Sequence, residues 1–332
     1  KGVTDVFGYP GGMVTHLMDS FDKYSDKITA HVNYNEQGSA FCACAYAQIS
    51  HKIGFAYSTS GPGATNLITG IANAFYDSIP CMFVTGQVNT YEQKDSLLVR
   101  QRGFQEMDVV EITKSITKYS VSLKKPQEVV SEFQKAYEIA MNGRPGPVVI
   151  DVPMNIFRAE IEDDYFENKS TDTVDYKKIS YKITEELKKS KRPLIIAGAG
   201  INASESGKLF AEFIEENSLP VVISMIAVDL LPSDNKLKFG FIGAYGHRYA
   251  NILTEKADLI ITMGTRMDSR QTGVNKDIFA TNCKFIRIDI DSGELTNKIK
   301  KNEIQYIADI KRLLNELNKN ESLEPKQEWL ET

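Results

Sequence analysis

Strand-like and helix-like segments alternate along the whole chain, and this alternation limits the fold more than any other feature of the sequence. Apolar runs typical of short buried strands lie at 5–8, 28–32, 53–57, 81–85 and 147–152. Segments with a helical spacing of apolar residues lie near 13–24, 37–49, 64–75, 106–113 and 127–141. The second half alternates in the same way, with strands predicted at 193–197, 221–224, 259–264 and 285–291. Since this pattern is typical of parallel sheets covered on both faces, we predict an α/β protein with two doubly wound, mainly parallel-sheet domains.

The chain length and one charged segment divide this pattern into two domains. A chain of 332 residues is expected to form two domains. Residues 158–178 are rich in Asp, Glu, Lys and Thr and contain no strand pattern, so we interpret them as a linker. The predicted domains are therefore residues 1–157 and 179–320, followed by a short segment at 321–332.

Composition argues against several function classes. The net charge is −5 and no basic stripe is present, so nucleic acid is not an expected partner. No apolar run is long enough to cross a membrane. The four cysteines (Cys42, Cys44, Cys81 and Cys283) lie in apolar or helical surroundings without metal-ligand spacing. We therefore expect reduced core cysteines, a cytoplasmic protein and no metal ligands within the chain.

A lone acid, Glu36, lies where a predicted strand passes into a helix of small residues. The surrounding stretch, Asn33 to Gly38, follows the apolar run at 28–32. Carboxylates are rarely buried without a partner because desolvation of the charged form is costly. Two interpretations are open: Glu36 stabilises the first turn of its own helix, or it is a functional carboxylate.

Glycine and proline residues cluster where strands are predicted to end. These clusters are Pro10-Gly11-Gly12, Gly61-Pro62-Gly63 and Gly86. Ligands of open α/β sheets bind at the carboxyl ends of strands, where backbone amides and helix N-termini are free. Each cluster alone is explained by a tight turn, but three of them together with Glu36 favour a ligand site.

The second half carries a weaker signal for a nucleotide. Gly198 and Gly200 follow a predicted strand and precede a helix, although a Gly-x-Gly-x-x-Ala pattern alone is weak. Arg266 and Arg270 follow another strand, and guanidinium groups suit phosphate. Asp289 suits a ribose hydroxyl. The alternative for the arginines is a role in structural ion pairs.

This ordered set of motifs resembles the thiamine diphosphate (thiamine pyrophosphate) enzymes, and most closely the large subunit of acetohydroxyacid (acetolactate) synthase. The resemblance implies a pyrimidine-binding domain over 1–157, without its N-terminal helix, and a Rossmann-like middle domain of the FAD/ADP-binding type over 179–320. It also implies that residues 321–332 lead into a C-terminal domain that holds the diphosphate through Mg²⁺. The Gly-Asp-Gly motif and paired asparagines of that domain are not in this sequence.

The resemblance assigns roles to individual residues. It implies that Glu36 hydrogen-bonds to the aminopyrimidine ring, and that Phe104, Gln105 and Lys118 act at the reacting centre. The implied thiamine diphosphate contacts are Tyr9, Pro10, Gly11, Ser60, Gly61, Pro62, Gly63, Asn66 and Gln87. The implied FAD contacts are Gly198, Gly200, Gly264, Arg266, Asp268, Arg270, Asp289 and Ile290.

The function implied by the resemblance is thiamine-diphosphate-dependent decarboxylation and carboligation of a 2-oxo acid such as pyruvate, in a homodimer or homotetramer. The alternatives are a decarboxylase, a carboligase with a sugar-like acceptor, and a non-catalytic nucleotide-binding or regulatory chain. Four stretches depart from the family pattern: Met154 replaces a lysine, Ala244-Tyr245 replaces Met-His, Ser269 replaces an acid, and Cys44-Ala45 replaces Glu-Gly. These departures bear on the acceptor and on FAD.

Overall fold

The computed structural model describes residues 2–161 and 173–331 and divides the chain into two compact units, Lys1–Ser170 and Thr171–Thr332. Much of the predicted linker at 158–178 lies outside the described residues. Its last part differs from the prediction, because the first helix of the second unit already begins at Tyr176. The two units are described separately below.

The first unit is built on a six-stranded sheet in which every pair is parallel. Its strands are β1 (Asp5–Gly8), β2 (Thr29–Val32), β3 (Gly54–Ser58), β4 (Cys81–Gln87), β5 (Tyr119–Ser122) and β6 (Val148–Pro153). Their order in the sheet is β2-β1-β3-β4-β6-β5. Strand β5 was not expected from the sequence.

Helices cover both faces of this sheet. They are α1 (Thr15–Lys23), α2 (Glu36–Ser50), α3 (Pro62–Tyr76), α4 (Val109–Thr113), α5 (Val129–Met141) and α6 (Met154–Phe157). Helices α1, α5 and α6 share one buried apolar cluster with the sheet, whereas α2, α3 and α4 share the other. The turns after the neighbouring strands β1 and β3 therefore lead to opposite faces, which is the arrangement at which open α/β sheets bind ligands.

Two predictions for this unit were wrong in detail. Strand β2 was expected to be buried, but it forms the edge of the sheet, all four of its residues are exposed, and Val32 is 61% exposed. The apolar residues of this run indicated burial, but the strand pairs with β1 alone. The helix expected at 106–113 begins at Val109, because residues 106–108 belong to the preceding loop.

The second unit contains another six-stranded, all-parallel sheet. Its strands are β7 (Pro193–Ala197), β8 (Val221–Ile223), β9 (Lys238–Phe241), β10 (Leu259–Met263), β11 (Lys284–Asp289) and β12 (Ile304–Ile307), in the order β12-β11-β10-β7-β8-β9. Its helices are α7 (Tyr176–Lys189), α8 (Gly200–Ala203), α9 (Gly207–Glu216), α10 (Arg248–Lys256), α11 (Ser269–Thr272), α12 (Ser292–Thr296), α13 (Ile310–Leu317) and α14 (Gln327–Leu330). The two sheets confirm the predicted α/β class.

The segment predicted to lead away from the second unit is packed onto it. Trp329, in α14, is buried and donates its indole N–H to the carbonyl oxygen of Pro193 over 2.8 Å. The prediction for the cysteines holds in part, since Cys44 and Cys81 are buried whereas Cys42 and Cys283 are half-buried. Within residues 2–161 and 173–331, no helix combines the length and the apolar character needed to cross a bilayer.

Candidate functional site

The turns that follow β1, β3 and β4 meet at the carboxyl edge of the first sheet. A Cβ atom on Gly11 would lie 2.4 Å from Cβ of Thr59, so the first two turns touch through a position that requires glycine. The backbone N–H of Met13 donates to Oγ1 of Thr59 over 3.3 Å. Gly86 approaches the backbone of Met13 in the same way. Of the other predicted contacts, Tyr9, Pro10 and Pro62 lie exposed at this edge.

Glu36 is the first residue of α2, yet it is not the cap of this helix. The cap is Asn35, whose Oδ1 accepts a hydrogen bond from the N–H of Gln37 over 2.8 Å. Glu36 is 7% exposed, and Oε2 of its carboxylate accepts a hydrogen bond of 2.9 Å from Nδ2 of Asn66 on α3. The buried acid is therefore oriented by the neighbouring helix, which favours the functional interpretation over the capping one.

Close packing of α2 against α3 sets the distance between these two side chains. Ala40 and Gly70 each lie one helical turn beyond Glu36 and Asn66. A Cβ atom on Gly70 would lie 2.2 Å from Cβ of Ala40, so the helices touch where neither side chain extends past a methyl group. We refer to the contact between Ala40 and Gly70 as the α2–α3 seam.

The turn at Gly61 and Gly63 leaves space beside the carboxylate. Gly61 has a φ of +58°, which favours glycine. A Cβ atom on Gly63 would lie 3.1 Å from Oε1 of Glu36, so the absence of a side chain keeps this oxygen uncovered. Among the described residues, no hydrogen bond reaches Oε1 or the buried hydroxyl of Ser60. A buried hydroxyl without a hydrogen-bond partner is unusual in a protein.

The segment after β4 brings Gln105 to this turn. Cβ and the carbonyl oxygen of Gln105 would each lie 2.9 Å from a Cβ atom on Gly61, so Gln105 packs directly against the turn. Gln105 has a φ of +62°, a conformation that costs energy for a residue with a side chain. Phe104 is 76% exposed and has no such contact in the described chain.

Glu106, to which sequence reasoning gave no role, fixes this segment. Its carboxylate accepts hydrogen bonds from the backbone N–H groups of Lys94 at 2.6 Å, Arg102 at 2.9 Å and Gly103 at 3.1 Å. Burial alone would raise the pKa of Glu106, but these hydrogen bonds outweigh burial and lower it. The loop that carries Gln105 is therefore tied back on itself by an ionised side chain.

Gln87 lies at the end of β4, but both ends of its amide are used within the protein. Nε2 donates to the carbonyl oxygen of Met107 at 2.8 Å and to Oδ2 of Asp151 at 3.1 Å, and Oε1 accepts from the N–H of Val88 at 3.0 Å. The structure thus gives the Gln87 side chain a role in holding neighbouring segments.

Lys118 is not at this edge of the sheet. It precedes β5 and its backbone N–H pairs with Pro147, so it lies where the strands begin. Its ammonium group donates to the carbonyl oxygens of Ile139 and Asn142 at the end of α5, the latter over 2.7 Å. A cation suits a helix C-terminus. We therefore exclude Lys118 from the candidate catalytic group.

In the second unit, the predicted glycines contact one another. A Cβ atom on Gly198 would lie 2.1 Å from the carbonyl oxygen of Gly264, and one on Gly200 would lie 2.8 Å from Cα of Gly264. The N–H of Gly200 also donates to the carbonyl oxygen of Gly264 over 3.1 Å. Close approach of two backbones is therefore one reason for glycine at these positions.

The charged residues predicted for this unit surround the carboxyl ends of β10 and β11. Arg266 and Asp268 form an exposed ion pair of 3.3 Å, and Asp268 also caps α11 by accepting from the N–H of Arg270 over 2.9 Å. Asp289 is buried at the end of β11, where its Oδ1 accepts from the N–H of Asp291, and Ile290 is exposed. Both arginines are thus exposed. The alternative interpretation of these arginines was a structural ion pair, and Arg266 does form one, with Asp268.

Ser224 was not predicted as a site residue. It directly follows β8, is buried, and its hydroxyl has no hydrogen-bond partner among the described residues. Its backbone N–H donates to the carbonyl oxygen of Ala197, at the end of β7, over 2.9 Å. An unpaired hydroxyl therefore lies next to the glycine turn.

Two family models match the two halves of the chain. Residues 1–112 match the model of the thiamine pyrophosphate enzyme N-terminal TPP binding domain. Residues 181–317 match the model of the thiamine pyrophosphate enzyme central domain. The chain belongs to the thiamine pyrophosphate enzymes.

Within the thiamine pyrophosphate enzymes, the chain is similar to acetolactate synthases. It is 38% identical over 326 residues to the acetolactate synthase large subunit of Lactococcus lactis, covering 95% of this chain and 54% of that protein. It is 36% identical to the probable acetolactate synthase large subunit of Methanocaldococcus jannaschii, with 96% and 53% covered. It is 35% identical to the chloroplastic acetolactate synthase 1 of Oryza sativa, with 96% and 49% covered. The chain spans about half the length of these relatives.

One further polar residue of this thiamine pyrophosphate enzyme was missed from the sequence. Asp151 is 3% exposed near the end of β6, and burial raises its pKa to about 6. Its carboxylate accepts hydrogen bonds from Thr85 at 2.7 Å, Gln87 at 3.1 Å and Ser122 at 3.1 Å. The sequence does show an acid inside the apolar run at 147–152, which is unusual. Its role could not be predicted because its hydrogen-bond partners lie on two other strands.

Proposed function

We propose that Glu36 is the carboxylate that binds the aminopyrimidine ring of thiamine diphosphate in a 2-oxo acid decarboxylase and carboligase of the acetolactate synthase type. The observation that carries this proposal is a buried carboxylate with one oxygen bound by Asn66 and the other uncovered beside Gly63. The substrate class follows from the names of the relatives, which makes pyruvate the first candidate.

The residues around Glu36 fit a flat, polar ring. The missing side chain at Gly63 gives a ring access to Oε1, and the unpaired hydroxyl of Ser60 offers a second hydrogen bond at the same turn. Gln105 closes the other side of Gly61. The site thus offers a hydrogen-bonding acid and a hydroxyl. One side of the turn is closed by Gln105, which can approach this closely because residue 61 is glycine.

Thiamine diphosphate, when bound, supplies the carbon nucleophile that attacks the 2-oxo acid. The role of this chain in the reaction is to hold and transfer one proton. Asn66 occupies Oε2, so proton exchange between Glu36 and a ring nitrogen takes place at Oε1. Burial keeps bulk water from competing for that proton. Phe104, exposed on the segment beside Gln105, is the side chain that we assign to contact with substrate.

For the second unit we propose the ADP part of FAD as the ligand. Arg266 and Arg270 are exposed cations near the end of β10, and Ser224 has an unpaired buried hydroxyl at the same edge of the sheet. Asp289 and Ile290 complete this edge. The diphosphate of thiamine and its Mg²⁺ are assigned to residues outside this chain, and the assembly that we propose is a cytoplasmic homodimer or homotetramer.

The proposed reaction is tested with the full-length protein. With pyruvate, Mg²⁺ and thiamine diphosphate present, it should release CO₂ and form acetolactate, and both should cease when thiamine diphosphate is withheld. Because Met154 stands where the family has a lysine, the acceptor is varied between pyruvate and an uncharged aldehyde. If no 2-oxo acid is consumed with any acceptor, the proposed function is wrong.

Flavin binding is tested by titrating the full-length protein with FAD while its fluorescence is followed. Replacing Arg266 with Ala should weaken binding, whereas Lys188→Ala should not. Lys188 is a suitable control because it also forms an exposed ion pair, with Glu185, at the end of α7. A protein that binds neither FAD nor ADP would contradict this part of the proposal.

A further inference from the structure

Asp151 is a buried acid at the carboxyl edge of the first sheet that does not contact the proposed pyrimidine site. It lies in register with Thr85 on β4 and with Ser122 on β5, so a single carboxylate joins three adjacent strands. Lys124, after β5, is the charged group whose field acts on Asp151, and its ammonium group donates to Oε1 of Gln93 over 3.0 Å. No direct ion pair of Asp151 with a described residue offsets its burial.

The hydrogen bonds of Asp151 continue outward through Gln87. The amide nitrogen of Gln87 is shared between Oδ2 of Asp151 and the carbonyl oxygen of Met107. Oε1 of Gln87 accepts from the N–H of Val88, so the amide cannot be reversed without losing a bond at each end. Asp151 is therefore one of three partners, with Met107 and Val88, that fix the position and orientation of the Gln87 amide.

Met107 is two residues from Gln105, which packs against Gly61. The segment 94–107 is fixed at two points. Gln87 binds the carbonyl oxygen of Met107, and the carboxylate of Glu106 binds the backbone N–H of Lys94 at the start of the segment. Gln105 lies between these attachments in a left-handed conformation that a free loop would abandon.

We propose that Asp151 is a positioning residue which, acting through Gln87, keeps Gln105 against the Gly61 turn. Its effect on turnover rests on the proposed thiamine diphosphate function, whereas its effect on the loop does not.

The chemistry of the network explains why an acid is needed at this position. Thr85, Gln87 and Ser122 all donate, and the two oxygens of one carboxylate accept all three bonds. An asparagine would present an N–H₂ group to a donor. Turned toward Gln87 and Ser122, this group would lose the bond from Gln87, whereas turned toward Thr85 it could donate to the threonine hydroxyl, which also accepts. Asp151→Val removes both acceptors.

The test compares Asp151→Val with Gln87→Met and with the double variant in the full-length protein. Hydrogen exchange of the unliganded protein should be about tenfold faster for amides in residues 94–107 in each single variant. The kcat on pyruvate should fall by about 10- to 100-fold, while KM changes by less than about threefold. The double variant should be no worse than the poorer single variant, because both changes break the same connection.

Thr85→Val is the matched control. It removes the hydrogen bond to Oδ1 of Asp151 with little change of shape, and it leaves the bond from Gln87 to Oδ2 intact. It should lower the melting temperature without changing kcat or the exchange of residues 94–107.

Two results would overturn the inference. One is unchanged exchange in residues 94–107 of folded Asp151→Val. The other is a fall in kcat in Thr85→Val as large as that in Asp151→Val, since the effect would then come from packing. If the wild-type protein has no thiamine-dependent turnover, the proposed function fails, and the exchange comparison still decides whether Asp151 positions the loop.

Discussion

Nδ2 of Asn66 lies 2.9 Å from Oε2 of Glu36, and this hydrogen bond joins the beginning of α2 to α3. The bond orients a buried carboxylate through a neutral partner. It also uses one oxygen and leaves the other beside Gly63. The carboxylate is thus fixed in position while one of its atoms remains available to a ligand.

Replacing Glu36 with Gln in the full-length protein should preserve the fold and slow the reaction by about 10²–10⁴-fold. The amide keeps the shape of the side chain but cannot carry a proton to a ring nitrogen. The direct measurement is hydrogen–deuterium exchange at the thiazolium carbon of bound thiamine diphosphate, followed by NMR. Glu111→Gln, at an exposed acid paired with Lys114, is the control. Wild-type exchange in Glu36→Gln would remove Glu36 from the reaction.

Two glycine substitutions should have opposite effects on stability. Gly70→Ala places a methyl group 2.2 Å from Cβ of Ala40 and forces the α2–α3 seam apart, at a cost of about 1–3 kcal/mol. Gly38→Ala meets no atom within 4 Å and should stabilise α2 by about 0.5–1 kcal/mol. Denaturant unfolding measures both. Equal effects of the two substitutions would show that helix propensity, and not the seam, determines the result.

The stability of the first unit should depend on pH through Asp151. Burial raises the pKa of Asp151 in the folded state to about 6, from the usual value of 3.8 for an aspartate. The folded state therefore binds this proton more tightly, and the stabilisation is complete below about pH 4 and lost as pH rises to about 6. The loss amounts to about 3 kcal/mol. The measurement is the free energy of unfolding of wild type and of Asp151→Asn at several pH values between 4 and 7. The difference between the two proteins should change with pH over this range. A constant difference would contradict the prediction.

Lys118→Met should reduce stability and leave chemistry unchanged. Methionine keeps the length of the side chain but removes the donor to the carbonyl oxygens of Ile139 and Asn142, at a cost of about 1–2 kcal/mol. Lys114→Met, at an exposed lysine, should change stability by less than about 0.5 kcal/mol. The measurements are thermal unfolding and turnover of the full-length protein. Slower turnover with unchanged stability would return Lys118 to the candidate catalytic group.

The central strands of the first sheet were the easiest to predict from the sequence. Strands β3 and β4 are buried along their whole length and are apolar, so their positions were clear. No strand was expected at β5, β9 or β12. Strand β5 alternates tyrosine and valine with serine, β9 contains Gly240, and all but one of the residues in these three strands are half-buried. These strands lie at the edges of their sheets and are held by the hydrogen bonds of a single neighbouring strand. The apolar pattern of a short segment does not show that such a neighbour exists.

The same limit applies to the site. A buried position for Glu36 could be predicted because an apolar run precedes its turn and a helix of small residues follows it. The roles of Asp151 and Gln87 could not, because their partners lie on other strands or in a distant loop. Gly198 and Gly200 show the reverse case, since the sequence indicates that something approaches closely but not whether it is a phosphate or the backbone of Gly264.

The order of strands has a consequence for how the first unit folds. Met13 meets Thr59 across 46 positions of sequence, Asn66 meets Glu36 across 30, and Thr85 meets Asp151 across 66. Contacts of such long range form slowly because the intervening chain must first be ordered. The bonds of Asp151 to Thr85 and Gln87 have the longest range of these, and they form only when β6 enters the sheet between β4 and β5.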